Sequence, residues 1–342
     1  MIAASHSASK PVIGVLLGDP SGIGPEVTVK LLARPEASQD AQLVLIGARS
    51  VLAAGERVAG AKLALTPVKT LAEARGLGGG IAFYATDDAI AEQEIEPARM
   101  TLASGRYALR MLDLAAEAVK RRELDGVVFA PLNKGAMRLA GLTHEDEMRL
   151  LQDRLSVTGF VCEFNVTKDL WTSRVTSHIP LSEVAAAIQG PTIQEAIDIL
   201  NRSLKSAGIA APRVAVAGLN PHAGDGGTMG REEIDIIEPA VRAMQARGVD
   251  ARGPLPADTI FVAARNGAYD GVVSMYHDQG QIAMKLMGFE SGVTVLGGLP
   301  APFTTCASGT AFDIVGKGSA NVEGLVQALA INKRMAAQVR AS

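Results

Sequence analysis

The sequence predicts an α/β protein of the doubly wound kind, and three observations carry that prediction. Short apolar runs such as Val12–Leu17, Gln42–Gly47 and Val127–Ala130 have the length and continuity of strands buried on both faces. Between them lie segments with apolar residues at helical spacing, the clearest from Thr101 to Arg121. The two kinds alternate along the chain, as the crossover units of a parallel sheet require. A length of 342 residues favours two lobes over one large domain, and 48% hydrophobic residues supply a sizeable core.

Taken in order, residues 1–10, which include His6, read as a loose tail with no apolar leader segment. Val12–Leu17 runs straight into G-D-P-S-G-I-G-P-E (Gly18–Glu26), whose glycine and proline density marks a tight turn. Pro25 and Glu26 suit the first turn of a helix reaching about Leu32. The spacing is not that of a dinucleotide fingerprint, and the acidic turn suits a structural bend or a bound substrate or metal-bound water about equally. A helix is expected from Ser50 and a strand over Ile81–Ala85, while residues 60–80 are ambiguous. Val127–Ala130 leads into P-L-N-K-G-A-M, where Lys134 suits either solvent or a bound carboxylate or phosphate. In G-L-T-H-E-D-E-M, Thr143 is the expected cap of a helix whose first turn carries Glu145, Asp146 and Glu147.

Further on, the strand Leu170–Thr176 ends in S-H-I-P-L, with His178 just beyond it. Helices are expected over Ser182–Ala187, Thr192–Ala207 and Glu232–Arg247. The strand Arg213–Gly218 runs into L-N-P-H-A-G-D-G-G, which sets His222 in a glycine-rich loop. Gly253–Phe261 is punctuated by prolines and carries Asp258. The strand Val272–Met275 delivers Tyr276, His277, Asp278 and Gln279 in a row, and the apolar stretch after them closes on Lys285. Gly292–Leu299 is a glycine-rich strand, S-G-T-A-F-D-I-V-G-K-G-S-A-N (Ser308–Asn321) is the last motif, and Glu323–Arg340 closes the chain as a helix.

Several function classes are disfavoured. A formal net charge of -3 gives no electrostatic footprint for nucleic acid or anionic membrane. No run approaches the roughly 20 apolar residues of a membrane span. Two cysteines, Cys162 and Cys306, far apart and in no C-x-x-C, fit a reducing, cytoplasmic setting. The positive signal is in the histidines. Of five, His178, His222 and His277 each follow an expected strand within a few residues. Parallel strands would bring them to one edge, where three imidazoles suit a divalent ion such as zinc, cobalt, nickel or manganese. Three protein ligands leave a position for substrate, the pattern of a catalytic centre.

The motifs G-D-P-S-G-I-G-P-E, A-P-L-N-K-G, T-S-H-I-P-L, G-L-N-P-H-A-G-D-G-G, G-P-L-P-A-D-T-I-F, M-Y-H-D-Q-G and G-T-A-F-D-I-V-G-K-G resemble the 4-hydroxythreonine-4-phosphate dehydrogenase family over nearly the whole chain. The resemblance implies a two-lobed fold like that of isocitrate and isopropylmalate dehydrogenases, with a cleft between the lobes and a homodimer that completes each site. Its expected lobes are 1–140 plus 300–342, and 141–299. It implies a divalent metal (Zn, Mg, Mn or Co) on His178, His222 and His277, with NAD or NADP as cofactor. It implies substrate contacts from Lys285 and Asp258, and a nicotinamide-cofactor site around Gly309, Thr310, Ala311 and Asp313.

The chain departs from the family at four places. H-T-E is replaced by T-H-E-D-E, which leaves His144 in that region. Thr294 stands for a substrate-contacting asparagine, Phe303 for an arginine and Ser308 for a histidine. Phenylalanine cannot replace a bidentate anion clamp. The resemblance therefore points to the branch oxidising 4-phospho-D-threonate or 4-phospho-D-erythronate, with decarboxylation, and to Lys285, Asp258 and Lys134 as catalytic groups. Oxidation of 4-hydroxythreonine 4-phosphate in pyridoxal phosphate synthesis, or of an unphosphorylated hydroxy acid, is the alternative. A zinc hydrolase and a non-catalytic ligand-binding protein are more distant ones.

Overall fold

The computed structural model describes residues 10–167, 170–288 and 291–341, so the expected tail and His6 lie outside the described residues. The chain forms two compact units. The first comprises residues up to 143 together with 310–322 and those from 332 on. The second comprises 144–309 and 323–331.

The first unit holds β1 (Val12–Leu16), α1 (Gly24–Leu32), β2 (Gln42–Gly47), α2 (Arg49–Ala59), β3 (Leu65–Val68), α3 (Leu71–Ala74), β4 (Ile81–Ala85), α4 (Leu102–Lys120), β5 (Gly126–Phe129) and α5 (Lys134–Leu139). Its strands run in the order β3-β4-β2-β1-β5, and every pairing is parallel. Val12, Ile13 and Val15 are wholly buried, as a strand covered on both faces requires. The helices begin and end where local chemistry directs. Thr101 accepts from the amide of Ser104 (3.1 Å) to start α4, Asn133 accepts from that of Ala136 (2.9 Å) to start α5, and Gly60 at φ 65° ends α2. The ambiguous stretch 60–80 resolves into β3 and α3.

The second unit holds α6 (Glu147–Arg154), β6 (Cys162–Thr167), β7 (Leu170–Arg174), α7 (Leu181–Ala187), α8 (Gly190–Ser206), β8 (Arg213–Ala217), α9 (Glu238–Ala246), β9 (Asp250–Leu255), α10 (Ala257–Arg265), β10 (Gly271–Ser274), α11 (His277–Leu286), β11 (Val293–Gly297) and β12 (Phe303–Cys306). Its strand order is β12-β11-β6-β7-β10-β8-β9. The β7-β10-β8-β9 half is parallel, whereas β12, β11, β6 and β7 pair antiparallel. This unit is therefore mixed rather than doubly wound throughout. The strands the sequence concealed have a physical excuse: β6 alternates apolar with polar residues, β12 is only four residues long with two threonines at its centre, and β9 carries Gly253 and Pro254, tolerated because it is an edge strand. The expected lobes, 1–140 plus 300–342 and 141–299, differ from these units at 141–143, which belong with the first, and at 300–309 and 323–331, which belong with the second. The reason is β12, which pairs with β11 and whose Thr304 hydroxyl donates to the Ala328 carbonyl in the closing helix α12 (Glu323–Ala341) at 3.0 Å.

Asp19, one residue into the turn after β1 and α1's approach, is 1% exposed. Its Oδ1 accepts from the Ser21 amide at 2.9 Å, while Oδ2 has no partner. Burial pushes this carboxyl up to about 6 from its ordinary 3.8, against the smaller opposing pull of the Ser21 hydrogen bond. The folded state thus holds a proton that the unfolded chain releases, so stability falls as pH rises from about 4 to about 6 and stays lowered above that, by roughly 3 kcal/mol. Asp19→Asn should remove this dependence. Thermal melts from about pH 4 to pH 8 should show the variant gaining on the parent up to about pH 6 and then holding level.

Candidate functional site

Strands β7, β10 and β8 lie side by side and run the same way: Gly271 pairs with Trp171 on one flank and Val214 on the other. Their carboxyl ends therefore share an edge, which in α/β sheets is where ligands bind. His178 lies four residues past β7, His277 three past β10, and His222 five past β8. The rings of His178 and His277 lie with centroids 5.4 Å apart, tilted by 47° to one another.

The loop after β8 is held in a demanding conformation. His222, Ala223, Gly224, Asp225 and Gly226 all have left-handed backbone angles. Three of these are not glycine, and L-residues pay for that region sterically. The buried carboxylate of Glu233 supplies the compensation. It accepts from the amides of Leu219 and Asn220, each at 2.7 Å, and from the Asn220 side chain at 2.9 Å. Gln279, in the first turn of α11, joins this loop to the next: it donates to the Gly218 carbonyl (2.9 Å) and accepts from the Met275 amide (2.7 Å).

Carboxylates gather beside the imidazoles. Glu145 contacts His178 Nδ1, and Asp278 Oδ1 lies 2.7 Å from His277 Nδ1. Ligand atoms of Glu145, Asp146 and His178 all lie within 4.8 Å of one another. Imidazole nitrogen with carboxylate oxygen is a donor set that fits a divalent ion of borderline softness. Helix capping is the role the sequence favours for these acids, but the cap is not the expected one. The side chain that accepts at the start of α6 is Asp146, from the Arg149 amide at 2.9 Å, and not Thr143. A carboxylate on the residue directly before the helix outcompetes a hydroxyl three residues upstream.

The other expected residues fall as follows. Lys285 is exposed in the last turn of α11, two turns beyond His277 on the same face. Asp258 is exposed in the first turn of α10, in a groove of about 430 Å³ that Tyr276, Asp278 and Gln279 also line. Thr294 is half-buried on β11, and His144 Nε2 lies 3.7 Å from Asp153 Oδ2. Lys134 is exposed at the start of α5, in the first unit. Of the cofactor candidates, Gly309 belongs to the second unit, and Thr310, Ala311 and Asp313 to the first. There the Thr310 carbonyl accepts from the Ile23 amide at 3.1 Å, so the motif abuts the Gly18–Glu26 turn. Lys30 fastens the same pair of segments, donating to the Gly318 and Ala320 carbonyls, and Ala320 in turn donates to Glu26. Asp313 is exposed. Phe303 is wholly buried, while Arg174, also buried, pairs with Glu163 at 2.8 Å and with the Ser177 hydroxyl at 3.0 Å. The signals missed in the sequence were charged and amide residues inside strands, in C-E-F-N-V-T and L-W-T-S-R.

Fold and edge together define an α/β protein whose strand ends present imidazoles and carboxylates to a polar ligand. The family model described as pyridoxal phosphate biosynthetic protein PdxA matches residues 39–332. The chain belongs to this family, whose members among its relatives are named as dehydrogenases. It is 44% identical over 332 residues to a Pseudomonas aeruginosa protein named "Putative 4-hydroxythreonine-4-phosphate dehydrogenase 2", covering 96% of this chain and 98% of that one. It is 39% identical to the D-threonate 4-phosphate dehydrogenase of Cupriavidus necator, covering 93% and 95%. The crystal structure of a 4-hydroxythreonine-4-phosphate dehydrogenase from Burkholderia phymatum superposes with a TM-score of 0.80 at 34% identity, covering 95% of this chain and 98% of that one.

The role of Glu233 is testable apart from any reaction. Glu233→Gln keeps the shape but turns one acceptor into a donor facing amides. Affinity for zinc, followed by titration against a chromophoric chelator, should fall by about 10- to 100-fold, as for other groups that support metal ligands.

Proposed function

We propose that this chain is a divalent-metal-dependent, NAD(P)-linked dehydrogenase of a 4-phosphorylated four-carbon hydroxy acid such as 4-phospho-D-threonate or 4-phospho-D-erythronate. The observation that carries the reading is the edge itself: three histidine-bearing loops leaving three adjacent parallel strands. Support for the acid comes from relatives such as the D-threonate 4-phosphate dehydrogenase of Cupriavidus necator.

In this reading His178, His222 and His277 hold the ion, and Glu145, against His178 Nδ1, fixes that ring's orientation. When bound, the ion supplies Lewis acidity at the hydroxyl being oxidised. Gly309, Thr310, Ala311 and Asp313 are the residues that would hold NAD(P), which when bound would supply the hydride acceptor. Lys285 is the group that orients the substrate's carboxylate or assists proton transfer. Asp258, Thr294 and His144 complete the polar contacts with substrate. Loss of hydride and proton leaves a ketone, and a carboxylate β to it departs as carbon dioxide, which from the 4-phosphorylated acid gives dihydroxyacetone phosphate.

A homodimer belongs to the same proposal. Val262 on α10 and Ile282 and Leu286 on α11 are exposed by 50%, 59% and 83% along one groove. Exposed apolar side chains that cluster in this way mark interaction surfaces. Among the described residues no helix is long and apolar enough to cross a membrane.

Metal-loaded protein should reduce NAD or NADP with a phosphorylated four-carbon acid and not with its unphosphorylated form. His222→Ala should lose both bound metal and turnover, whereas a fully active, metal-free variant would sink the mechanism. Leu286→Asp should shift sedimentation from dimer to monomer; an unchanged dimer would remove this face from the interface.

A further inference from the structure

We propose that Asn165 is a substrate-binding residue, donating its side-chain amide to an acceptor oxygen of the hydroxy acid. The inference rests on the dehydrogenase reading above and adds to it a residue on the sheet itself. In the second unit Thr305, Thr294, Asn165 and Thr172 are direct cross-strand partners on β12, β11, β6 and β7. Direct partners point to the same face, so the four make one polar row across four strands. Three members are buried: Asn165, Thr305 and Thr172 are 4%, 7% and 6% exposed.

As a purely structural device the row is poor. Thr172 is satisfied, its hydroxyl donating to the Asn165 carbonyl at 3.2 Å. Among the described residues the Asn165 Nδ2 has no partner. A buried donor left without an acceptor costs free energy that an apolar side chain of similar shape would not. Such groups persist where a ligand supplies what the protein does not.

The neighbouring helix shows which ligand. Gln281 on α11 donates to Asn165 Oδ1 at 2.8 Å. With its oxygen engaged, the amide has only its buried NH₂ left to offer, a donor, which selects an acceptor oxygen. Gln281 lies one turn after His277 and one turn before Lys285. The three share a stripe of α11, so the face that carries a proposed metal ligand and a proposed anion contact is the one anchored on Asn165. Thr294, the one half-exposed member, is where the row opens to solvent.

Two variants of the full, metal-loaded chain test this, with each candidate acid as the probe. Asn165→Leu removes the orphaned donor. Asn165→Asp keeps the acceptor for Gln281 but replaces the donor with a second carboxylate oxygen. In both, KM for the acid should rise about ten-fold or more with kcat within about three-fold, because an interaction present in ground and transition states alike is lost. The melting temperature of Asn165→Leu without acid should be equal to or above that of the parent, and the rise in melting temperature on adding acid should shrink. An unchanged KM with a lowered melting temperature would make Asn165 structural and overturn the inference while leaving the dehydrogenase reading intact. A parent protein that neither oxidises nor is stabilised by any acid of the series would overturn both.

Discussion

Three strands that run the same way and sit side by side hold the rest of the candidate site in place. If β7, β10 and β8 were not mutual neighbours, His178, His277 and His222 would leave the sheet at unrelated points. Their registration is fixed at the opposite end by one ion pair. Asp270, just before β10, accepts from the backbone amide of Arg213 (2.8 Å), from its Nε (3.0 Å) and from its Nη2 (2.8 Å), at the start of β8. The Arg213 side chain holds the Asp270 carboxyl below its ordinary range. Pinning strand starts sets strand ends, because a strand is stiff and a shift of one residue would turn every side chain to the other face. Beneath the edge, Leu170, Ala217, Phe261, Val272 and Met284 pack α10 and α11 against these strands, so the helix that begins at His277 has no freedom to slide.

The second constraint is local and costly. Left-handed backbone at His222, Ala223 and Asp225 disfavours the loop by about 1–2 kcal/mol per non-glycine residue. Neighbouring glycines relieve only their own positions. Glu233 offsets the remainder by gathering three N–H donors into one buried carboxylate, and it does so from the first π-type turn ahead of α9, outside the loop it shapes. Strain held by structure beyond the loop is typical of places where geometry matters more than stability.

Much of this was legible in the sequence, because apolar runs and helical spacing are signals of burial, and burial decides the first unit almost alone. The three histidines could be assigned to strand ends for the same reason. What the sequence hid lies in the antiparallel half of the second unit. A strand such as β6, with Glu163 and Asn165 facing one way among apolar residues, breaks the continuous pattern that marks a doubly covered strand. Glu145 and Asp146 read as helix-capping acids because that role is common. Only the fold shows that Asp146 caps while Glu145 reaches His178.

The polar row has a consequence for how such a protein changes over time. His222 is carried by a loop whose shape depends on strained backbone and on Glu233, so most alterations there would disturb the loop itself. The row is carried by strand interiors, where exchanging Asn165, Thr294 or Thr305 for another side chain leaves the backbone ladder untouched. On the reading proposed above, metal holding and substrate contact would lie in separable parts of one sheet, so that a few strand positions could be exchanged without touching the histidine-bearing loops.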